Sequence, residues 1–189
     1  MARSTAPGRR GPGREELLRY VGGTVPPVAA PGLRVLFCGI NPGLWTAWTG
    51  FHFARPGNRF WPALHRSGFT PRQLAPAEQH ELLGLGLGIT NVVERATATA
   101  AELTKQEIRA GGERLVADVQ RWAPRFVAVL GVTTYRTAFD DRTASVGPQE
   151  RRLAGARVWL LPNPSGLNAH YSLDALSDRL AELRRAVEG

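Results

Sequence analysis

Several features that often reveal an enzyme's chemistry are scarce or missing in this sequence. It contains one cysteine, Cys38, so a single chain can form neither an internal disulfide nor a multi-cysteine metal or iron–sulfur site. No apolar run reaches the ~18 residues that suggest a membrane-spanning helix. The N-terminal segment also lacks the apolar core of a secretory signal. These absences favour an intracellular protein, and we expect a cytoplasmic location.

Familiar catalytic signatures are absent as well. The sequence has no GxxxxGK[ST] phosphate loop, no GxGxxG dinucleotide turn and no GxSxG nucleophile elbow. The histidines show neither HxH nor HExxH spacing, which favours surface or packing roles for all four: His52, His65, His80 and His170. Cys38 lies within an apolar run and is interpreted as an inert core thiol. We therefore expect no metal and no cofactor.

Positive charge is present in excess, but lysine contributes almost nothing to it. The 24 basic residues against 16 acidic ones give a net charge of +8, and Lys105 is the only lysine. Arginine-favouring codons in a GC-rich genome would explain the missing lysine. They would not explain the excess of positive over negative charge, which favours a polyanionic partner.

The chain divides into a short extension and one domain. Residues 1–30 are rich in arginine, proline and glycine, so we expect a basic, partly disordered extension with a short helix over residues 15–21. Its first part would be either a weak electrostatic tether to DNA or a solvated tail without function. Residues 31–189 are predicted to form a single domain with a sizeable core.

Short apolar strands alternate with helices in this domain. Four strands are predicted, at residues 34–39, 88–93, 125–131 and 157–162. The longest helix is predicted over residues 104–122, and Ser172 is expected to start an amphipathic closing helix. This alternation predicts an α/β fold with a mostly parallel sheet covered on both faces.

Two of the predicted strands end in nearly the same letters. "NPGL" begins at Asn41, after the first strand, and "NPSGL" begins at Asn163, after the fourth. Ligands of open α/β sheets lie beyond the carboxyl ends of the strands, so both asparagines are expected to face one cleft. A single Asn-Pro would more simply be turn chemistry that stops a strand. Two copies after two buried strands favour the cleft.

The stretch between these motifs, "GLWTAWTGFHFARPGNRFW", is unusually aromatic. Phe53 is placed to stack on a flat ring, and Arg55 and Arg59 lie close enough in sequence to contact phosphate. Trp45 and Trp48 are expected at the mouth of the cleft. An aromatic ring, a phosphate contact and a neutral asparagine together indicate recognition of a nucleic-acid base.

These motifs resemble a known family. "GINPGL…TGFHFARPGNRFW", "TKQEIRAGG" and "LPNPSGL" occur in the order seen in the mismatch-specific uracil-DNA glycosylases, which include thymine-DNA glycosylase. The likeness covers the chain from about residue 34 to the last helix. It implies a three-layer α/β/α sandwich with a central, mainly parallel four-stranded sheet. The implied reaction is metal-free hydrolysis of the N-glycosidic bond of a base flipped out of double-stranded DNA.

The resemblance also implies roles for residues of the base pocket. Asn41 matches the asparagine that positions the attacking water, Phe53 the ring that stacks on the base, and Asn163 a pocket asparagine. Backbone N–H groups of the segment from Ile40 through Gly43 to Leu44 would stabilise the departing base anion.

A second group would contact the DNA duplex. Ser165, Gly166 and Leu167 match the wedge that fills the space left by the flipped base. Asn168 and His170 follow it as candidate strand contacts, although some relatives carry an arginine soon after the leucine. The partner is expected to be DNA with a mismatched or damaged base, bound by a monomer on the nucleoid.

One carboxylate has two interpretations. Glu94 follows the second strand at the expected cleft edge, where it would assist the catalytic water. The simpler interpretation, which we favour, is a surface ion pair with Arg95 or another arginine.

Three hypotheses for function follow. The leading one is a monofunctional glycosylase that removes uracil, chiefly from G·U mismatches, because Lys105 lies away from both motifs and no other lysine could form a Schiff base. The alternatives are a non-catalytic protein that recognises uracil or abasic sites, and an unrelated enzyme of free nucleosides. Asn41 argues against the first alternative, and the basic charge and the wedge argue against the second.

Overall fold

The computed structural model describes residues 11–189. Five strands form one sheet: β1 (Val35–Gly39), β2 (Leu87–Asn91), β3 (Phe126–Leu130), β4 (Gly147–Leu153) and β5 (Ala156–Leu161). The four predicted strands correspond to β1, β2, β3 and β5. The central, mostly parallel sheet of an α/β fold is confirmed, whereas the predicted number of four strands is wrong.

The additional strand lies at an edge of the sheet. The strand order is β2-β1-β3-β5-β4, in which the first four strands are parallel and β4 pairs antiparallel with β5. The sequence of β4, "GPQERRL", is polar, and most of its residues are at least partly exposed. An edge strand with one open side does not need the continuous apolar run that identifies a buried parallel strand.

Seven α-helices are described: α1 (Arg14–Leu18), α2 (Leu44–Thr49), α3 (Phe60–Arg66), α4 (Glu81–Gly84), α5 (Lys105–Trp122), α6 (Val132–Phe139) and α7 (Leu173–Glu188). The two longest begin as the sequence predicts. Thr104 accepts a hydrogen bond from the backbone N–H of Glu107 at 3.1 Å, and Ser172 accepts one from Ala175 at 3.1 Å. Each side-chain oxygen satisfies a donor that the first turn of a helix leaves unpaired.

The sheet lies between two helical layers. Val35 and Phe37 of β1 pack in one core with residues of α3, α4 and α7, whereas Leu36 and Cys38 pack in a second core with residues of α5 and α6. Successive side chains of a strand point to opposite faces, so β1 is buried on both sides. The three-layer arrangement leaves the carboxyl ends of the strands as the open edge.

The described residues before residue 31 are mostly exposed or half-buried, but Val25 and Val28 are buried against this framework. Val28 is 2% exposed and exchanges two backbone hydrogen bonds with Ile89 of β2, at 2.8 and 2.9 Å. The predicted helix over residues 15–21 corresponds to α1. The proposed tether in the first residues lies largely outside the described range. Within residues 11–189, no helix is long and apolar enough to cross a membrane.

Candidate active site

The two Asn-Pro segments meet in one pocket at the carboxyl edge of the sheet. Gly39, Asn91 and Leu130, the last residues of β1, β2 and β3, line it together with Asn41 and Asn163. β3 lies between β1 and β5, so the two asparagines approach the pocket from either side of the central strand.

Hydrogen bonds fix the side-chain amide of Asn41. Its Nδ2 donates to the carbonyl of Arg95 at 2.9 Å and to Oγ1 of Thr97 at 2.7 Å. Among the described residues no donor is hydrogen-bonded to Oδ1 of Asn41, which leaves an acceptor at a half-buried position of the pocket wall. An amide held in this way can accept a hydrogen bond from a water without carrying a charge.

The loop that anchors Asn41 is itself held to α5. Nε of Arg95 lies 2.7 Å from Oε1 of Glu107, and the same carboxylate accepts the backbone N–H of Thr104 at 2.8 Å. The Arg95 guanidinium and these Thr104 hydrogen bonds lower the pKa of Glu107 to about 2. The start of α5 therefore anchors the carbonyl that orients Asn41.

Phe53 has an unusual backbone conformation. Its φ is 54°, in the left-handed region that is rare for residues with a side chain, and its ring stacks on Phe60 with 4.1 Å between centroids. A methyl group on Gly39 would come within 3.3 Å of Cζ of Phe53, so the missing side chain lets the ring approach the end of β1. The predicted stacking ring therefore lines the pocket on a rigid support.

Asn163 begins a tightly bonded loop. Its Oδ1 accepts the backbone N–H of Ser165 at 3.0 Å, and its carbonyl accepts Nδ2 of Asn168 at 3.0 Å. The carbonyl of Asn168 in turn accepts a bond from Arg59 at 3.0 Å. These contacts hold the predicted wedge segment beside the pocket.

Arg59 has a different environment from the one the sequence suggests. Its guanidinium donates to the carbonyls of Asn168, Tyr171 and Gly166, and its backbone N–H donates to the carbonyl of Pro164. These contacts occupy the group predicted to bind phosphate and make it a brace for residues 163–171. Arg55, by contrast, lines the pocket and is exposed, and within residues 11–189 it forms no ion pair.

The tip of the braced loop carries an exposed apolar side chain. Leu167 is 73% exposed, the highest value among the exposed large apolar residues of the described chain. Its neighbour Gly166 passes close to another loop, because a methyl group there would lie 2.5 Å from the carbonyl oxygen of Gly57. Exposed leucine next to glycine is the arrangement that an inserting wedge requires.

A groove continues from the pocket past Asn163. It shares Ile40 and Asn163 with the pocket and is lined further along by Thr134, His170 and Tyr171. The predicted strand contacts Asn168 and His170 both border this groove.

Other predicted residues lie outside the pocket. Glu94 is exposed, and its Oε1 lies 3.4 Å from Arg114, so the structure gives it the arginine ion pair and not a position among the pocket-lining residues. Leu44 is buried as the first residue of α2. Trp45 and Trp48 pack edge to face, with 5.4 Å between ring centroids, and neither lines the pocket. The sequence analysis did not predict α2 within this aromatic stretch.

Asn91 and His52 are among the pocket residues that the sequence analysis missed. Asn91 is 7% exposed and His52 is 1% exposed, and both line the pocket. The sequence places Asn91 within a buried strand and predicts a surface or packing role for His52. The available signal was position: a polar side chain as the last residue of a parallel strand reaches the edge where ligands bind.

The pocket contains few ionisable groups. Of its lining residues only His52 and Arg55 have ionisable side chains, and burial lowers the pKa of His52 below its usual 6.5. Within the described part of the chain, no group of three or more histidine, cysteine or acidic side chains is arranged to hold a metal ion.

The fold and the pocket define the class of protein. A three-layer α/β domain with an aromatic ring, neutral amides and an exposed wedge at the carboxyl edge of its sheet is suited to binding an extruded base. The family model of the Uracil DNA glycosylase superfamily matches residues 26–188, and the chain belongs to that family. Membership indicates a DNA glycosylase.

A solved structure has the same fold. It is the solution NMR structure of a protein from Methanosarcina acetivorans, described as a candidate uracil DNA glycosylase. The match has a TM-score of 0.62 at 19% sequence identity and covers 89% of this chain and 99% of that one. At this identity the likeness supports the fold, and the chemistry must be argued from the residues.

Proposed function

We propose that this protein is a monofunctional DNA glycosylase that hydrolyses the N-glycosidic bond of uracil flipped out of G·U mismatches. The observation that carries the proposal is the geometry of Asn41. Its amide nitrogen is held by Arg95 and Thr97, so its oxygen remains available to a water in a pocket that Phe53 also lines.

The base is expected to lie flat on Phe53. Stacking on an aromatic ring contributes roughly 1–3 kcal/mol per base and does not distinguish between bases. Discrimination therefore requires polar groups around the edge of the base. Asn91 and Asn163, at the ends of β2 and β5, supply amide groups on that edge.

The reaction needs little acid–base machinery. Water attacks C1′ of the sugar, and the bond between C1′ and the base nitrogen breaks with its electron pair going to the base. One proton of the water stays on the new C1′ hydroxyl, and the other passes to solvent. The products are free uracil and an abasic sugar. Oδ1 of Asn41 accepts a hydrogen bond from the attacking water and fixes its position.

The departing base leaves as an anion. Ile40, Asn41 and Gly43 line the pocket, and we expect their backbone N–H groups to face the departing base, because donors of this kind stabilise developing negative charge. Without a general base the enzyme forgoes roughly 10²–10⁴-fold in rate. We expect slow turnover and dependence on a base that leaves readily, such as uracil.

Extrusion of the base is assigned to the loop from Ser165 to Leu167. Opening a base pair costs roughly a few kcal/mol, and the cost is smaller in a mismatch. Leu167 would fill the vacated space, while Arg59 holds the loop that carries it. The only lysine, Lys105, lines a separate groove with Arg109 and Arg136, which supports hydrolysis without a Schiff base.

The test is single-turnover base release from duplexes with G·U, A·U, G·T or a hypoxanthine pair, and from single-stranded uracil DNA. Asn41→Ala is compared with Gln106→Ala, an exposed amide on α5. We expect G·U to be cut fastest, Asn41→Ala to bind but cut at least 100-fold more slowly, and Gln106→Ala to match the wild type.

Other outcomes would change the assignment. Equal rates on A·U and single strands would contradict the mismatch preference and leave a general uracil glycosylase. Binding without cleavage of any duplex by the wild-type protein would support the non-catalytic recognition hypothesis.

A further inference from the structure

His52 lines the pocket beside Asn91, and its polar atoms are all engaged. Its Nε2 is 3.0 Å from the carbonyl of Pro26, its Nδ1 is 3.5 Å from Nδ2 of Asn91, and its backbone N–H donates to Oε1 of Gln79 at 2.8 Å. The residue is 1% exposed and has no role in the hydrolysis described above.

The carbonyl of Pro26 determines which ring nitrogen of His52 carries the hydrogen. A carbonyl oxygen can only accept, so Nε2 of His52 carries the hydrogen. Burial lowers the pKa of His52, which keeps the imidazole neutral. Nδ1 therefore presents a lone pair and can only accept a hydrogen bond.

This lone pair in turn orients the amide of Asn91. Nδ2 faces His52, and Oδ1 faces Gly39, where a methyl group would lie 2.6 Å from Oδ1. With the amide reversed, Oδ1 would face the lone pair of Nδ1, and the hydrogen bond would be replaced by repulsion. The orientation of Asn91 is thus set by His52.

An asparagine amide offers an acceptor beside a donor, and uracil and cytosine match opposite orientations of it. Uracil presents an N3–H donor beside a carbonyl acceptor, whereas cytosine presents an N3 acceptor beside an amino donor. An amide free to rotate would serve either base. An amide held in one orientation serves one of them.

We propose that His52 is a positioning residue for base selection, which holds the amide of Asn91 in the orientation that accepts uracil and rejects cytosine. The inference rests on the proposed function, because it assumes that a pyrimidine enters this pocket. It assigns to His52 an effect on the choice of base that is separate from water positioning by Asn41.

The test compares two bases in one sequence context. Single-turnover release is measured from duplexes carrying G·U or guanine opposite 5-fluorocytosine, whose fluorine makes cytosine a better leaving group. For each protein we take the ratio of the uracil rate to the 5-fluorocytosine rate. The wild-type and variant ratios are then compared, because the cost of opening each base pair is common to both proteins and cancels. His52→Phe keeps a flat ring but removes the acceptor.

For His52→Phe we expect the uracil rate to fall roughly tenfold, the effect of one lost neutral hydrogen bond, while the 5-fluorocytosine rate holds or rises. The ratio therefore falls at least tenfold. His65→Phe is the matched control, because His65 also contacts a backbone carbonyl, that of Thr70 at 3.1 Å, but lies outside the pocket lining. Its ratio should equal that of the wild type.

A double-mutant cycle distinguishes positioning from general damage. In an Asn91→Ala background, His52→Phe should leave the ratio unchanged, because the amide through which it acts is gone. An equal loss of both rates in His52→Phe, or an undiminished effect in that background, would overturn the inference. If His52→Phe does not fold, His52→Leu carries the same test, since its side chain also lacks an acceptor. Failure of the wild type to release uracil would instead overturn the proposed function.

Discussion

At the scale of single residues, the pocket relies on fixed amides and not on ionised groups. Asn41 is held by Arg95 and Thr97, and Asn91 faces His52. Each contact takes up one side of an amide and determines what the other side offers to a ligand. Preorganised neutral dipoles of this kind stabilise a transition state without a proton transfer.

The rate should therefore depend little on pH. No carboxylate lines the pocket in the described chain. The pKa of His52 is lowered from 6.5, so this side chain does not change its protonation state above that pH. We expect single-turnover uracil release at saturating enzyme to be flat from about pH 7 to 9. A tenfold fall per pH unit on the acid side of this range would instead reveal an unrecognised general base.

Arg59 should affect activity through the loop it holds. In Arg59→Leu, the carbonyls of Gly166, Asn168 and Tyr171 lose their donor, and a displaced wedge should slow uracil release by roughly 10–100-fold. The melting temperature should fall as well.

The matched control for Arg59 is at the opposite edge of the sheet. Arg34 also donates to a backbone carbonyl, that of Leu85, at 2.8 and 3.1 Å. Arg34→Leu should lower the melting temperature but leave release unchanged at temperatures where the protein is folded. Equal activity losses in both variants would indicate general destabilisation.

Leu167 should contribute to activity on duplex DNA and not to folding stability. Because its side chain is 73% exposed, Leu167→Ala should change the free energy of unfolding by no more than ~0.5 kcal/mol. Uracil release from a duplex should fall roughly tenfold, because the vacated space is no longer filled. Leu18→Ala, at another exposed leucine, should change neither quantity. Unimpaired release by Leu167→Ala would exclude the wedge role.

At the scale of elements, the pocket depends on where α5 meets the end of β2. Gly111 of α5 lies against β2's end, because a methyl group there would be 2.2 Å from the carbonyl oxygen of Val92. One turn farther, Arg114 donates to the carbonyls of Asn91 and Val92 at 2.7 and 3.0 Å. The helix thereby fixes the backbone that carries Asn91.

Gly111→Ala should consequently destabilise the protein, although alanine is the better helix former. Helix propensity alone would stabilise it by about 1 kcal/mol. The collision with Val92 should outweigh this and give a net loss of about 1–3 kcal/mol in denaturant unfolding, with slower uracil release. Ala110→Gly, exposed on the same helix, should lose about 1 kcal/mol by propensity and keep its activity. A stabilised Gly111→Ala would contradict the close packing.

Individual elements also show which features the sequence could predict. The buried parallel strands β1, β3 and β5 carry continuous apolar runs, and the caps Thr104 and Ser172 precede clear helical periods, so these were predictable. Strand β4 is polar because one of its edges is open. Helix α2 follows Gly43, which offers no side-chain cap, and its six residues are too few to show a period.

The same contrast holds within the candidate site. Both Asn-Pro motifs and Phe53 could be placed at the pocket because the motif order fixes their positions at strand ends and in one loop. The brace formed by Arg59 could not, because its acceptors are carbonyls, which carry no sequence signal and lie more than 100 positions away. Local patterns predict which residues reach the sheet edge, and tertiary hydrogen bonds decide what each of them does there.

At the scale of the whole molecule, the basic residues behind the net charge of +8 differ in whether an acidic side chain lies beside them. Arg72 contacts Glu78 and Glu81 at 2.9 and 2.8 Å, whereas in the described chain Arg55 has no acidic partner and stands at the pocket. A cation that is already paired releases few counterions from DNA when it binds. Free cations at the site should therefore determine how binding depends on salt.

DNA affinity should accordingly fall as salt rises, with a slope to which Arg55 contributes. In Arg55→Ala, the plot of log affinity against log salt concentration for a G·U duplex should become shallower by about one unit, the contribution of one phosphate contact. Arg72→Ala should leave the slope unchanged, because its charge is neutralised within the protein. An equal change in both variants would show that total charge governs binding, whereas no change in either would place the phosphate contacts elsewhere on the surface. Because the slope counts phosphates and not bases, the measurement locates the DNA backbone independently of which base is removed.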